Sequence, residues 1–326
     1  MRMSNAIVIH ATGGPEVLRL EDAAVPAPGA GQVLLRHTAI GVNYIDIYHR
    51  SGLYPLPGLP AIIGMEGAGV VEALGEGVAD LAVGDRVAYA CGPTGAYATH
   101  RLAPAAQMVK IPAGISDEIA ASIMLKGMTA QYLLHDTAPV RAGDAVLVHA
   151  AAGGVGLLLG QWAKHLGCTV IGTVGTEAKA ALARAHGCDH VIVTRGGGFA
   201  AAVKEITGGR GCRVIYDGIG RDSFADSMES LALCGRLVCY GQASGPIAPI
   251  APSLLSAKSA SLSRPVLFHY TAQRPDLLRI AGSLFEVIAR GAVKVAPPTR
   301  YALRDAAQAH ADLEGRRTTG QLVLLP

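Results

Sequence analysis

The stretch Val146-Leu-Val-His-Ala-Ala-Ala-Gly-Gly-Val-Gly-Leu-Leu-Leu-Gly-Gln-Trp-Ala-Lys constrains this chain more than any other. Val146 to Val148 follow the turn signal Ala142-Gly143-Asp144 and read as a short buried strand. Leu157, Leu158, Trp162 and Leu166 then recur at helical spacing, with Gly167 where a helix ends. Between them Gly153, Gly154 and Gly156 lack a β-carbon, so a phosphate can come close to the backbone. The following helix, opening at Val155, aims its unpaired N–H groups at such an anion. Against the spacing G-x-G-x-x-G, Ala151 takes the first glycine position and Gly153 and Gly156 the next two. A close-packed Gly/Ala corner without a ligand would read the same way, so the rest of the chain has to weigh the two.

A chain of 326 residues exceeds what one core usually organises, which predicts more than one domain. Half the residues are apolar and 16% are charged, enough for large cores and too little for a long disordered tail. Lys and Arg total 28 against 25 Asp and Glu, with no dense basic run, which speaks against nucleic acid as the main partner. The N-terminal apolar run turns polar at His10, far short of a signal peptide or membrane span. Six scattered cysteines contain no C-x-x-C pair and read as buried apolar residues of a reducing compartment. A soluble cytoplasmic protein is the expectation.

Up to about residue 125 the pattern is Ile7–Ile9, Val33–Arg36, Gly69–Ala73 and Arg86–Tyr89, short strands between Gly/Pro turns. They predict a mainly β unit, with a helix starting at Ser116-Asp117. From Val146 the pattern alternates. Strands are expected at 146–148, 169–172, 190–193, 214–216 and 236–240, and helices at 155–166, 177–185, 199–206 and 224–233. That is an α/β doubly wound parallel sheet, which binds nucleotides at the carboxyl ends of its strands. Past 266, a helix over Leu277–Arg290, a strand at Val293-Lys-Val, a helix around Asp305–Glu314 and a final strand after Gly320 complete a β–α–β close.

Gly64-Met-Glu-Gly-Ala-Gly-Val-Val, Gly75-Glu-Gly-Val and Val83-Gly-Asp-Arg-Val resemble the medium-chain dehydrogenase/reductase superfamily. Its zinc alcohol dehydrogenases carry Gly-His-Glu and an earlier Cys-x-x-Asp; here Met65 stands for the His and Asn43 for the Cys. A thioether and an amide do not replace an imidazole and a thiolate around zinc, so no metal site is expected. Gly13-Gly-Pro-Glu-Val-Leu, Gly41-Val-Asn-Tyr-Ile-Asp-Ile-Tyr, Arg50-Ser-Gly-Leu-Tyr-Pro, Leu125-Lys-Gly-Met-Thr-Ala, His149-Ala-Ala-Ala-Gly-Gly-Val-Gly, Tyr216-Asp-Gly-Ile-Gly and Ser263-Arg-Pro are similar to the zinc-independent NADPH:quinone oxidoreductases, the zeta-crystallin-like branch.

The resemblance implies a GroES-like catalytic domain over 1–125, a Rossmann NADPH-binding domain over 126–265, and a return to the catalytic domain over 266–326. It also implies a homodimer paired through the segment around Ser263. The ligands it implies are NADPH and a quinone or enone acceptor. Gly172-Thr-Val-Gly175-Thr176 places no carboxylate at the end of the second strand to repel a 2′-phosphate, and Lys179 follows in the next helix. A solvated helix-face lysine is the plainer account of Lys179. Thr194 and Arg195 stand where this branch commonly has a tyrosine beside that phosphate, and Arg195 can pair with it bidentately. Gly218 and Gly241 fall at strand ends that meet the cofactor; Val155, Phe268 and Arg316 complete the implied cofactor set.

On the acceptor side the resemblance puts Tyr44 and Asp46 beside the nicotinamide, and Asn43, Tyr48 and Tyr54 facing the acceptor. Lys126 and Thr129 are expected to begin the helix that links the domains, with Thr129 touching the nicotinamide ribose or ring. Hydride transfer asks for a close approach in a dry cleft, and the hydroquinone anion is stabilised by its own ring, so no strong general acid is demanded. A tyrosine hydroxyl suffices to meet a developing oxyanion. An NADPH-dependent reductase of α,β-unsaturated carbonyls shares this geometry, and a non-catalytic, crystallin-like NADPH-binding protein shares the fold.

Overall fold

The computed structural model describes residues 2–326. Contacts divide the chain into two units. The first runs to Met128 and takes back Thr271–Phe285 and Val295–Pro326; the second comprises Thr129–Tyr270 and Glu286–Lys294.

The first unit is built on the long strand Gln32–Gly41. It pairs antiparallel with Glu66–Leu74, His100–Pro104 and the last strand, Leu322–Leu325. Arg86–Ala90 and Val109–Lys110 extend the sheet on one side, and Thr299–Ala302 on the other. A smaller sheet pairs Arg2–Ile9 with Arg19–Val25 and Ala61–Ile62. Alternating residues fill one core: Val33, Leu35 and Ile40 meet Val71, Val87, Tyr89, Tyr97, Leu322 and Leu324. The expected mainly β unit is therefore present. Its closing strand is Thr299–Ala302, parallel to Leu322–Leu325, in place of the expected Val293-Lys-Val. Val293 is instead a buried anchor, and the neighbouring Lys294 backbone is held at both N and O by the Gln161 side chain.

The second unit is a six-stranded, all-parallel sheet. Its order is His190–Val193, Thr169–Val174, Ala145–Val148, Cys212–Asp217, Leu231–Cys239 and Ser261–Ser263. Helices Gly154–His165, Glu177–Ala185, Ala200–Ile206 and Phe224–Ser230 make the crossovers. The doubly wound fold is the expected one. One helix is shorter than the pattern suggests: Leu231–Leu233 leave it and enter the next strand, where Leu231 pairs with Cys212. The strand's irregularity falls at Cys234, whose φ of 56° is left-handed. The stretch Ser259–Phe268 around Ser263 reads in the sequence as β-rich, but only Ser261–Ser263 is strand, because Pro265 cannot extend a ladder and Leu267–Tyr270 form a helical turn.

Helix Asp117–Tyr132 starts where expected, with Ser116 Oγ accepting the Ile119 N–H. Lys126 and Thr129 lie inside this helix; they do not begin one. No helix among the described residues is long and apolar enough to cross a membrane.

Candidate active site

The glycine turn forms a cradle. Helix Gly154–His165 has Gly153 as its N-cap, and no side chain caps the first turn. The first turn of a helix is where an anion binds. A β-carbon on Gly156 would lie 2.3 Å from the Ala150 carbonyl oxygen, so only glycine lets the helix start this close to the turn. The left-handed residue of the turn is Ala150, at φ 50°. Ala151 is buried and donates its N–H to Thr173 O at 3.0 Å. Space for its methyl group comes from Gly172 on the next strand, where an added β-carbon would approach the methyl to 2.8 Å.

Gly175 ends that strand with open space around it, and Thr176 caps helix Glu177–Ala185 by accepting the Lys179 N–H at 3.3 Å. Lys179 is partly exposed and Arg195 exposed; they follow the carboxyl ends of two paired strands, Thr169–Val174 and His190–Val193. The Thr194 hydroxyl donates to Gly197 O, which closes a three-glycine loop after the third strand. At the fourth and fifth strand ends Gly218 and Gly241 touch backbone to backbone: a β-carbon on Gly241 would come within 2.7 Å of Gly218 O. Val155 and Phe268 are half-buried, and Thr129 is buried where the second unit begins.

In the first unit, Asn43 opens helix Tyr44–Ser51 in extended conformation, and Gly52 ends it at φ 83°. Helical spacing gives the helix two faces. Tyr44 and Tyr48 share one, and their ring centroids are 5.9 Å apart; Tyr54 returns to Tyr48 at 5.0 Å. The Tyr44 phenol is pushed up by burial and pulled partly back by the charge of Arg316. Arg316 is exposed and left-handed, at φ 57°.

The opposite face is polar and buried. Asp46 Oδ2 accepts the Asn43 N–H at 2.8 Å and the Tyr97 hydroxyl at 3.1 Å. Burial pushes the Asp46 carboxyl up to about 7, against the pull of these two donors and of Lys126. Tyr97 OH lies 2.8 Å from His310 Nε2, and His310 Nδ1 lies 3.2 Å from the Arg50 guanidinium. Arg50 has only N–H groups to give, so Nδ1 is the acceptor and the proton sits on Nε2. Burial and Arg50 hold His310 down at about 3, which keeps it neutral. Arg50 also donates to Gly13 O at 3.1 Å and to Glu314 at 2.8 Å. Donors therefore point one way, from Arg50 through His310 and Tyr97 to Asp46.

Asn43 belongs to a second network. Its Nδ2 donates to Glu66 Oε2 at 2.8 Å, while Glu66 Oε1 accepts the Leu125 N–H at 2.7 Å. Lys126 Nζ lies 3.6 Å from Glu66 and donates to Val42 O at 3.1 Å. Asn43 Oδ1 and Asp46 Oδ1 are buried without a hydrogen-bond partner among the described residues. Glu66, Lys126, Tyr97, His310 and Arg50 are absent from the predicted site set; Glu66, Arg50 and Lys126 stand in motifs that carried the resemblance, whereas Tyr97 and His310 had no local signal.

Zinc does not fit this set. The would-be ligand Asn43 gives its amide N–H to Glu66, Met65 is a buried thioether, and Glu66 already accepts from Asn43 and Leu125 and pairs with Lys126. The described residues contain no group of three His, Cys, Asp or Glu side chains able to hold a metal.

Comparison with known proteins agrees with this architecture. Residues 29–113 match the alcohol dehydrogenase GroES-like domain, and residues 154–281 match the zinc-binding dehydrogenase family. A quinone oxidoreductase of Pseudomonas aeruginosa is 47% identical over 99% of this chain and 100% of its own. A 2-haloacrylate reductase of a Burkholderia species is 46% identical over 99% of each. The crystal structure of Escherichia coli quinone oxidoreductase complexed with NADPH superposes with a TM-score of 0.96, at 42% identity, covering 99% of this chain and 100% of that one. The chain belongs to the quinone oxidoreductase family of the medium-chain dehydrogenases/reductases.

Proposed function

We propose that this protein reduces quinones with NADPH and without a metal. The observation that carries the reading is the uncapped helix start at Gly153–Gly156, joined to a second strand that ends without a carboxylate. Bound NADPH supplies the hydride. The chain's own part is to hold and orient. Val155 and Gly156 present backbone N–H groups to the pyrophosphate, and Gly153 and Gly154, without a β-carbon, let it approach the turn; the Gly153 N–H itself is held by Ala150 O at 2.8 Å. Gly175, Thr176, Lys179, Thr194 and Arg195 receive the 2′-phosphate; Gly218, Gly241 and Phe268 leave room for the rest of the dinucleotide. Thr129, Tyr44 and Arg316 serve the nicotinamide end; Asp46, expected beside the nicotinamide, is fully buried on the opposite helix face and supports that end through the Asn43 N–H. Asn43, Tyr48 and Tyr54 hold the acceptor, and a tyrosine hydroxyl meets the developing oxyanion.

Reduction of an activated carbon–carbon double bond is a second reading, favoured by the full-length identity to a 2-haloacrylate reductase. The working form is a cytoplasmic homodimer joined at the edge strand Ser261–Ser263. Steady-state assays with 1,4-naphthoquinone, 1,4-benzoquinone and an enone, each with NADPH and NADH, test the whole. Quinone turnover that prefers NADPH is expected; turnover of the enone alone would select the second reading, and tight NADPH binding with no turnover would leave a binding protein.

A further inference from the structure

The left-handed residue of the phosphate turn, Ala150, lies between two residues that both reach Thr173 on the second strand. On one side the His149 ring meets Thr173 Oγ1 through Nδ1 at 2.8 Å. On the other the Ala151 N–H donates to Thr173 O at 3.0 Å. A left-handed backbone is costly for alanine, and two ties to one residue hold it there. The far side of the ring is fixed as well. His149 Nε2 lies 2.9 Å from Ser227 Oγ, on helix Phe224–Ser230. The start of that helix is pinned to the end of the fourth strand, where Ser223 Oγ donates to Asp217 Oδ2 at 2.8 Å. Asp217 Oδ1 in turn accepts the Ile219 N–H at 2.6 Å and the Gly220 N–H at 3.2 Å.

His149, Thr173 and Ser227 are all buried, and the imidazole stands edge-on to Phe199 with ring centroids 5.0 Å apart. Burial holds the imidazole down, so it is neutral, with one N–H and one lone pair. Each neighbouring hydroxyl can give or take a hydrogen, so both ring nitrogens are paired in either tautomer.

We infer that His149 is a positioning residue for the cofactor, a peg that fixes the phosphate turn between the second strand and helix Phe224–Ser230. This rests on the reading above, in which the turn receives the pyrophosphate. The pyrophosphate is common to NADPH and NADH, so the peg serves both cofactors equally, whereas Lys179 serves the 2′-phosphate alone.

Calorimetric titration of NADPH and of NADH into wild type and four variants tests this. His149→Leu and the near-isosteric Thr173→Val each cut the tie and should raise Kd for both cofactors about tenfold. Thr173→Ser keeps the hydroxyl and should bind as wild type does. Val203→Ala truncates the buried core on helix Ala200–Ile206 and should lower the urea midpoint with Kd unchanged. Joining His149→Leu to Thr173→Val should cost little beyond the stronger single variant, because the second change removes a tie already cut. Thr173→Val decides the matter if His149→Leu does not fold. Unchanged Kd in the folded His149→Leu or Thr173→Val protein, a loss confined to NADPH, strict additivity in the double variant, or an equal loss in Thr173→Ser or Val203→Ala would overturn the inference. Wild type that binds neither cofactor sinks the reading of the turn and the inference with it. Wild-type binding that survives loss of the tie sinks the inference alone.

Discussion

The methyl group of Ala151 sits in the space that a β-carbon on Gly172 would claim, at 2.8 Å. The glycine missing from the first position of the phosphate turn has in effect moved to the neighbouring strand. Gly172→Ala should clash with Ala151 and with Cys188 Sγ, which would lie 2.7 Å away. A loss of about 1–3 kcal/mol is expected in urea unfolding. Adding Ala151→Gly should recover part of it. Strict additivity of the two substitutions would show that the two positions do not share this space.

Asp46 makes stability depend on pH in a direction opposite to that of a paired surface carboxylate. The unfolded chain loses this proton near 3.8 and the folded chain near 7. Between those values the folded form keeps a proton the unfolded form has released. Its contribution to folding therefore weakens as pH rises from about 4 to about 7 and is then constant, on the order of a few kcal/mol in all. Asp46→Asn should flatten the pH dependence of the urea midpoint over this window. Tyr97→Phe removes a donor to the carboxylate, pushes Asp46 further up and extends the window to higher pH. Identical pH slopes in wild type and Asp46→Asn would refute this.

Arg50 is buried and serves three acceptors: Gly13 O, His310 and Glu314. Arg50→Ala strands the first two and opens a cavity, with an expected loss of about 3 kcal/mol or more. Arg50→Lys should recover little, since a compact ammonium cannot fork to all three. Thermal unfolding of both variants checks this, and full recovery by lysine would show that charge alone matters.

Lys179→Ala should raise KM for NADPH about tenfold and leave KM for NADH nearly unchanged, the loss of one charge-assisted contact. Initial rates at saturating 1,4-naphthoquinone give the comparison. Equal effects on the two cofactors would return Lys179 to the role of a solvated helix lysine.

The second unit is legible in the sequence because its signals are local. Each strand and helix between 146 and 240 carries its own apolar period, and the glycine turn is a contiguous run. The end of helix Phe224–Ser230 is not legible, because Leu231–Leu233 continue the apolar pattern and only the ladder to Cys212 makes them strand. On the acceptor side, Asn43, Tyr44, Asp46 and Tyr48 stand together in the chain and are visible as a cluster. What fixes them is not visible. Arg50 and His310 are 260 residues apart, and Asn43 and Glu66 are 23 apart on different elements. No pattern of spacing announces such pairs, since the topology creates them.

The strand Leu322–Leu325 lies between Thr299–Ala302 and the long strand Gln32–Gly41. This sets an order of events during synthesis. The second unit has all its residues once Lys294 has left the ribosome, and its strands follow one another closely along the chain. His100–Pro104 covers the Gln32–Arg36 half of the long strand early, but its Ile40–Gly41 end stays uncovered until Val323 and Leu324 arrive. The nascent chain thus acquires a finished nucleotide domain before the unit that contains its own beginning can close.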